Sequence, residues 1–525
     1  MTQTENIQEL DIPKLVGASF KADNLPIQTG AMSAVQAPPT KVHDILKVIL
    51  DADKKSALTT ISCLDLGENL GVYYHMRLTK GYFTIKTEVP KTDPKTQTIT
   101  DLLPGASFAE LEGTDLLGVT YEGNLLSGHF MLSENWPIGV YPLRKDVNMA
   151  EVKLVPSPPQ EETDDPNVYK LTIGPQHPAL IEPEKLSVTV EGEIVTNVEP
   201  RLGYVHRGIE KATESRTYLR DIYLVERVCG ICNPSHARVF VAAVEKILGV
   251  DVPPRAKYIR TVALELNRLH SHLLTLGHAC LEMGFDTLFQ YLWRDREPIM
   301  DLIELTTGNR VYGSLMAIGG VRRDLNPDHI PKIKATLETL RSKLPGYRDT
   351  YQNDKSLRLR MQGVGVLSRD DARILCCVGP VARGSGLEID VRKDEPYEAY
   401  GEIPFKEIVY KEGDAWARMN VRMDEVGESI SMIEYALDHL PTGPIKVTVP
   451  RIVPAGESTA AIEAPRGELF YYVKSNGTQN PDRVKVRTPT YANLPSFLKT
   501  AIGQNYADCP VNFVSLDPCF SCTDR

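Results

Sequence analysis

The apolar positions follow a helical period near residue 42, a strand-like one from residue 58, and a helical one again in the second half. Val42, Ile45, Leu46, Val48, Ile49 and Leu50 predict a first helix. Leu58–Ser62, Val72–Leu78 and Tyr82–Val89 are rich in β-branched and aromatic residues and are separated by turn residues, which predicts antiparallel strands. Two more strand-like runs cover residues 168–173 and 186–195. After them Phe240, Val241, Val244, Ile247 and Leu248 form a helical stripe closed by Gly249. Leu266, Leu269, Leu273 and Leu276 mark one face of a further amphipathic helix. The predicted class is α+β. A weakly periodic arm over 1–40 leads into a small α/β domain over 41–150. A linker over 151–167 follows, where prolines and carboxylates at 156–166 cannot build a core. Residues 168–525 form a large, mainly α-helical domain with short sheets at its margins.

Composition narrows the class. The 525 residues are 42% hydrophobic and 24% charged, with a net charge of −10. That balance is ordinary for a globular chain and argues against a nucleic-acid surface. No apolar run is long enough for a membrane span, and the N-terminus lacks the pattern of a signal peptide. A cytoplasmic location is expected, with docking onto membrane partners still open. Nine cysteines without a leader read as reduced thiols rather than a disulfide framework. Cys63, Cys280, Cys376, Cys377 and Cys509 have no ligand spacing and read as small buried apolar residues.

The other four cysteines form two Cys-x-x-Cys units, Cys229/Cys232 and Cys519/Cys522, more than half the chain apart. Four thiolates make a soft, electron-rich metal site. Asn233-Pro234-Ser235 predicts a helix start with Ser235 as N-cap, which places Cys229 and Cys232 just ahead of a positive helix end. Arg227 adds positive charge that favours thiolates, and His236 lies close enough to donate a hydrogen bond to one. Spacing alone leaves the metal open between structural zinc and an iron–sulfur cluster.

The flanking residues resemble a known family. Arg-x-Cys-Gly-x-Cys-x-x-x-His at 227–236 and Asp-Pro-Cys-x-x-Cys-x-x-Arg at 517–525 look like the two signatures of nickel–iron hydrogenase large subunits. Gly174-Pro175-Gln176-His177-Pro178, Tyr204–Lys211 and Gly379–Gly386 resemble the membrane-bound, energy-converting group and the related 49-kDa subunit of complex I. Residues 41–150, through Tyr141–Asp146, look like the 30-kDa complex I subunit, and the fusion resembles the large subunit of formate hydrogenlyase. The family's Glu-Arg-Glu stretch reads Glu110-Leu111-Glu112 here, so its arginine is missing.

The resemblance implies reversible heterolytic H2 cleavage at a nickel–iron centre whose iron carries CO and cyanide, with magnesium as a further candidate. Cys229 and Cys519 would be terminal nickel ligands, and Cys232 and Cys522 would bridge nickel to iron. Glu210 would take a proton from Cys519, a task suited to a carboxyl with raised pKa; on the residues alone it reads as a surface carboxylate beside Lys211. Arg466, in Glu463-Ala464-Pro465-Arg466-Gly467, would hang over the open metal site; its alternative is a turn arginine paired with Glu468. Asp517 would hold the terminal loop, by pairing with Arg466 or as a turn former. Electrons would leave through iron–sulfur clusters in partner subunits, since this chain has no second cysteine cluster. Expected partners are an iron–sulfur small subunit, a ferredoxin-like subunit, integral membrane subunits of a complex I-like arm, and a maturation protease. That protease would cut a precursor after Arg525, once nickel is loaded. The expected location is peripheral, on the inner face of the cell membrane.

Two other classes compete: a complex I-like quinone-reducing or scaffold subunit without nickel, and a zinc-stabilised interaction module. The four cysteines favour the hydrogenase, because the 49-kDa relative lacks them. His270 and His272, two apart in a helix, read as packing residues. Arg322, Arg323 and Asp324 read as an interface or a solvated turn. Asp390, Arg392 and Tyr397 lie in a stretch that resembles the complex I relative.

Overall fold

In the computed structural model the chain divides into two units: Met1–His129 with Trp136–Val155, and Phe130–Asn135 with Pro156–Arg525. The structure describes residues 11–126, 128–156, 168–177 and 180–525. Residues 1–10 of the expected arm and 157–167 of the expected linker lie outside them.

Residues 11–40 differ from the expected extended arm. Ile12–Ser19 is a helix (α1), capped by Asp11 accepting from Lys14 N at 3.0 Å, with Pro13 in its first turn and Ile12 and Val16 buried. Ile27–Gln28 (β1) pairs with Ala34–Gln36 (β2), and β2 joins the main sheet of the first unit. One turn of apolar contacts suffices to order such a segment, but it is too short to register as a periodicity.

The helix expected from residue 42 is Val42–Ala52 (α2), with Val42, Ile45, Leu46 and Ile49 buried. Ala57–Asp65 (β3), Asn69–Arg77 (β4) and Tyr82–Pro90 (β5) complete a five-stranded sheet of order β1-β2-β5-β4-β3. It is antiparallel except at β2–β5. Lys95–Gln97 (β6) and Thr120–Glu122 (β7) form a small parallel pair around the helix Ser107–Leu117 (α3).

The second unit begins with Val168–Ile173 (β8), Lys185–Glu191 (β9) and Ile194–Arg201 (β10), an antiparallel sheet. The single run expected over 186–195 is therefore two strands. Gly192 at φ 63° reverses the chain between them, in a conformation only glycine takes cheaply. Short helices Ile209–Thr213 (α4) and Tyr218–Glu226 (α5) lead to Asn233–Leu248 (α6), Pro254–Glu282 (α7) and Asp286–Thr307 (α8). A two-residue pair, Met316–Ala317 (β11) with Gly320–Val321 (β12), precedes the helices Ile330–Asn353 (α9), Lys355–Met361 (α10), Arg369–Ile374 (α11), Gly379–Gly384 (α12), Val391–Asp394 (α13) and Ala415–Asp438 (α14). The antiparallel sheet Gly456–Ala464 (β13), Gly467–Ser475 (β14), Pro481–Arg487 (β15) follows. Pro489–Ala501 (α15), Cys509–Ser515 (α16) and Phe520–Asp524 (α17) close the chain.

The centre of this unit is α7, packed against α6, α8, α14 and α16. Its four expected leucines are fully buried, and every residue from Tyr258 to Cys280 is buried too. The helix is therefore not amphipathic in the usual sense. Its polar side, with Glu265, Arg268 and His272, faces other buried charges instead of water. Helix α6 starts at Asn233 with Cys232 as its N-cap, not at the expected Ser235 cap. Pro234 has the φ that a first turn needs, so the helix starts three residues early. Gly249 ends it at φ 63°, as expected.

Candidate metal centre

Two loops bring the four cysteines together in the interior of the second unit. The first runs from α5 to the start of α6. Asn267 Nδ2 donates to Ile231 O at 2.6 Å, and Asn233 Nδ2 to Gly230 O at 3.2 Å, which pins the Cys229–Cys232 turn against α7. Ile231 N donates to Cys229 Sγ at 3.2 Å. The second loop turns at Asp517, whose φ is 58°, and carries Cys519 into α17. Cys519 N donates to Thr490 Oγ1 at 3.1 Å, and Ser521 N to Glu182 at 2.7 Å. One arginine ties the loops together: Arg207 donates to the carbonyls of Arg227, Val228 and Ser521, each at 2.8 Å.

The thiols are buried and none is in a disulfide. They pair first with first and second with second: Cys229 Sγ lies 3.3 Å from Cys519 Sγ, and Cys232 Sγ lies 3.3 Å from Cys522 Sγ. Cys229, Cys232 and Cys522 fall within 4.8 Å of one another. Thiol contacts from Cys232 first, then Cys519 and Cys522, hold Cys229 well below its usual pKa, while the other three are held well above theirs. The four sulfurs thus compete for protons, and a metal cation that displaced those protons would find four soft donors converging on it. The donor set fits a thiolate-bound metal centre. Cys63, Cys280, Cys376, Cys377 and Cys509 are buried and stand apart from it, as expected.

Arg466 sits at the tip of the two-residue turn between β13 and β14, because Ala464 pairs with Gly467. Its guanidinium forms an ion pair with Asp517 Oδ1 at 2.7 Å and donates to Asp517 O at 2.8 Å and Ser271 Oγ at 3.3 Å. Burial works against its charge, but Asp517, Cys519, Cys232 and Cys229 together hold its pKa above the ordinary arginine value. The alternative pairing with Glu468 does not form: Glu468 binds Arg487. His236 is fully buried, with Nδ1 2.8 Å from Tyr471 Oη and Nε2 3.4 Å from Cys522 Sγ. Desolvation lowers its pKa to about 4, so the ring is neutral. A donor hydroxyl at Nδ1 leaves Nε2–H to donate to sulfur.

Arg227 does not reach the thiols. It is half-exposed, donates to Tyr223 O at 2.8 Å and covers the Tyr312 ring at 5.1 Å. Glu210 is buried rather than on the surface, and its pKa is not raised. Burial pushes it up, but Lys485, Arg483 and Arg525 together, with Val486 N, outweigh that and hold it below the usual carboxylate range. Arg525 Nε donates to it at 2.9 Å, and Arg483 pairs with it at 2.7 Å. The β15 cations lie far along the chain from Glu210, which is why its sequence neighbours give no sign of them. Sequence reasoning also missed Arg207, Tyr471 and Thr490 as parts of the site. Only Arg207, inside a stretch singled out by resemblance, left a signal.

His272 bonds Glu425 at 2.8 Å and His270 accepts from Arg296 at 3.1 Å, so both are buried packing and network residues. Arg322 covers Tyr223, and Asp324 pairs with Arg255.

Similarity to known proteins follows the same division. Residues 35–153 match the family described as the 30-kDa subunit of respiratory-chain NADH dehydrogenase. Residues 207–280 match nickel-dependent hydrogenase, and 282–453 with 451–525 match the 49-kDa subunit of respiratory-chain NADH dehydrogenase. The chain is 36% identical over 471 residues to formate hydrogenlyase subunit 5 of Escherichia coli K12, covering 88% of this chain and 83% of that protein. It is also 36% identical over 479 residues to the C/D subunit of NADH-quinone oxidoreductase from Phocaeicola vulgatus, covering 86% and 92%. A solved chain of an archaeal respiratory membrane complex, the membrane-bound sulfane sulfur reductase, aligns with a TM-score of 0.67 at 34% identity. That alignment spans 69% of this chain and all of the other. The chain belongs to the family that joins the complex I 49-kDa subunit with the nickel–iron hydrogenase large subunit, and it carries a complex I 30-kDa-like domain fused ahead of it.

Proposed function

We propose that this chain is the catalytic large subunit of a membrane-associated nickel–iron hydrogenase that interconverts H2 with protons and electrons. The observation that carries the reading is the donor set: four buried thiols in two 3.3 Å pairs, faced by a buried arginine–carboxylate pair. In this reading Cys229, Cys232, Cys519 and Cys522 would hold a nickel–iron centre whose iron carries CO and cyanide. The centre would supply the soft, open coordination that heterolytic H2 chemistry requires. Arg466 keeps a fixed positive charge over the thiolates, and Asp517 fixes its direction. His236 donates to Cys522 and tempers its negative charge. Glu210 anchors Arg525 and β15 and takes a proton only when one of its cations withdraws.

Among the described residues no other group of three or more potential metal ligands gathers, and no helix is long and apolar enough to cross a membrane. Iron–sulfur small and ferredoxin-like subunits would therefore carry the electrons, and integral membrane subunits would hold the chain at the inner face of the membrane.

A second reading is an electron-transfer subunit without nickel, favoured by the equal identity to the NADH-quinone oxidoreductase relative and by the likeness to the sulfane sulfur reductase chain. Metal analysis of the assembled complex separates the two. The hydrogenase reading expects nickel and iron in near-equal amounts, infrared bands of iron-bound CO and cyanide, and loss of H2 activity in Cys522→Ser. Zinc or no metal, with those bands missing, would sink it.

A further inference from the structure

Helix α7 touches the candidate metal centre at two points one turn apart. Asn267 Nδ2 donates to Ile231 O, inside the Cys229–Cys232 turn, at 2.6 Å, and Ser271 Oγ accepts from Arg466 at 3.3 Å. His270 lies three residues after Asn267, on the same face of the helix. Asn267 and His270 are each 3% exposed. Each has one polar atom engaged and one open, and the engaged atom fixes the character of the open one.

Asn267 bonds a carbonyl, so its engaged atom is the amide nitrogen and its open atom is the oxygen. That oxygen, Oδ1, is buried and has no hydrogen-bond partner among the described residues. His270 Nδ1 accepts from the Arg296 guanidinium at 3.1 Å, and a guanidinium can only donate. The ring proton is therefore on Nε2, and no described residue bonds it. Burial, with the charges of Arg296 and Arg466, lowers the pKa of the ring to about 3 and keeps this neutral form. One face of α7 thus carries an open acceptor and an open N–H donor, and leaving both unpaired in the interior is costly.

Both side chains line a cavity of about 20 Å³ bounded by α6, α7, α8 and the loop after α8. That volume suits one water molecule, which needs about 10–15 Å³. Leu266, Ile303 and Leu315 supply apolar wall. Ser314 also lines the cavity, and its hydroxyl, which donates to Glu226 at 2.7 Å, can still accept. Arg310 and Val311 line it as well and reach solvent, so a molecule inside can exchange. We propose that this cavity binds one water molecule, which accepts from His270 Nε2–H and donates to Asn267 Oδ1, and that this water braces the Cys229–Cys232 turn. Its second hydrogen is left for Ser314 Oγ, giving the three bonds usual for a buried water. The Asn267 amide is then held from both ends, by the water at its oxygen and by Ile231 O at its nitrogen. Asn267 and His270 are positioning residues, acting on the thiols only through the turn. The site holds whether the thiols bind nickel, zinc or no metal.

A map of the assembled complex that resolves ordered water should show one peak about 2.7–3.2 Å from both Asn267 Oδ1 and His270 Nε2. No peak there, or a direct protein bond to either atom, overturns the proposal. The brace is read in the full chain with reduced, metal-free thiols, by maleimide labelling of Cys229 and Cys232 followed by peptide mass. His270→Phe keeps a ring but loses the N–H, and should label these two cysteines at least about fivefold faster than the wild type. In His270→Gln the amide oxygen can accept from Arg296 while the NH2 group donates to the water, so labelling should stay within about twofold of the wild type. Equal rates in His270→Phe and the wild type overturn the proposal. So does His270→Gln labelling as fast as His270→Phe, since ring packing would then set the rate. If His270→Phe fails to fold, Asn267→Asp decides with the map: it keeps the acceptor for water but cannot donate to Ile231 O. Faster labelling with the water peak retained is expected there, and an unchanged rate or a lost peak overturns the proposal.

Discussion

Three cations share the Glu210 carboxylate, and that fixes what a single substitution does there. In Glu210→Gln, Arg483, Lys485 and Arg525 lose a buried counter-charge, and breaking such a set typically costs on the order of 3–5 kcal/mol. Urea unfolding should show a loss of that size; a loss below about 1 kcal/mol would mean the cations do not depend on Glu210. At this scale the sequence named residues that the fold brings together, because the cysteine pairs, His236, Arg466 and Asp517 lie in local motifs. It could not show the protonation state of Glu210, which depends on a strand joined to it only by the fold. Arg227 and Arg207 make the same point. Both flank the motifs as cations, yet only Arg207 has the backbone carbonyls of both cysteine loops within reach.

Between elements, glycine meets glycine beside the site. Gly467, at φ 128°, follows Arg466 at the β13–β14 turn, and a Cβ there would lie 2.7 Å from Gly379 N at the start of α12. Gly467→Ala is expected to cost on the order of 1–3 kcal/mol in strain and to displace the turn that holds Arg466. The four buried thiols should then react faster with a thiol reagent while helix content stays unchanged; unaltered thiol reactivity would count against the turn as a positioning device. Helical periods predicted α2, α6 and α7, and β-branched and aromatic runs predicted β3, β4 and β5, although α7 and β3 turn out to be buried on every side. The period failed where one residue decides: at Gly192, which splits a strand run, and at Pro234, which moves the start of α6.

For the whole molecule, buried carboxyls set the response to pH. Burial lifts Asp221 to about 8, and burial with the Asp524 charge lifts Glu184 to about 10. Glu463 and Glu407 are lifted to about 7. The folded state binds more protons at each of these groups than the unfolded chain, so their contribution is full below the unfolded pKa and is lost as pH rises through the folded values. Glu265 and Glu425, held low, contribute in the opposite sense and lose stability only in acid. The melting temperature should therefore peak in mildly acidic buffer and fall steadily from about pH 6 to pH 9. Both Asp221 oxygens are buried without a hydrogen-bond partner among the described residues. Asp221→Asn should thus raise the melting temperature at alkaline pH by at least about 2 °C, with little effect near pH 4. Equal shifts at both pH values would show that Asp221 does not titrate in this range. The α+β class, the main helices and strands and the four candidate thiol ligands were all legible before folding, since periodicity and motif spacing are local properties of a chain. Which thiols pair and which carboxyls are held low or lifted emerge only from the folded arrangement. Those depend on charges and desolvation supplied by elements hundreds of residues apart.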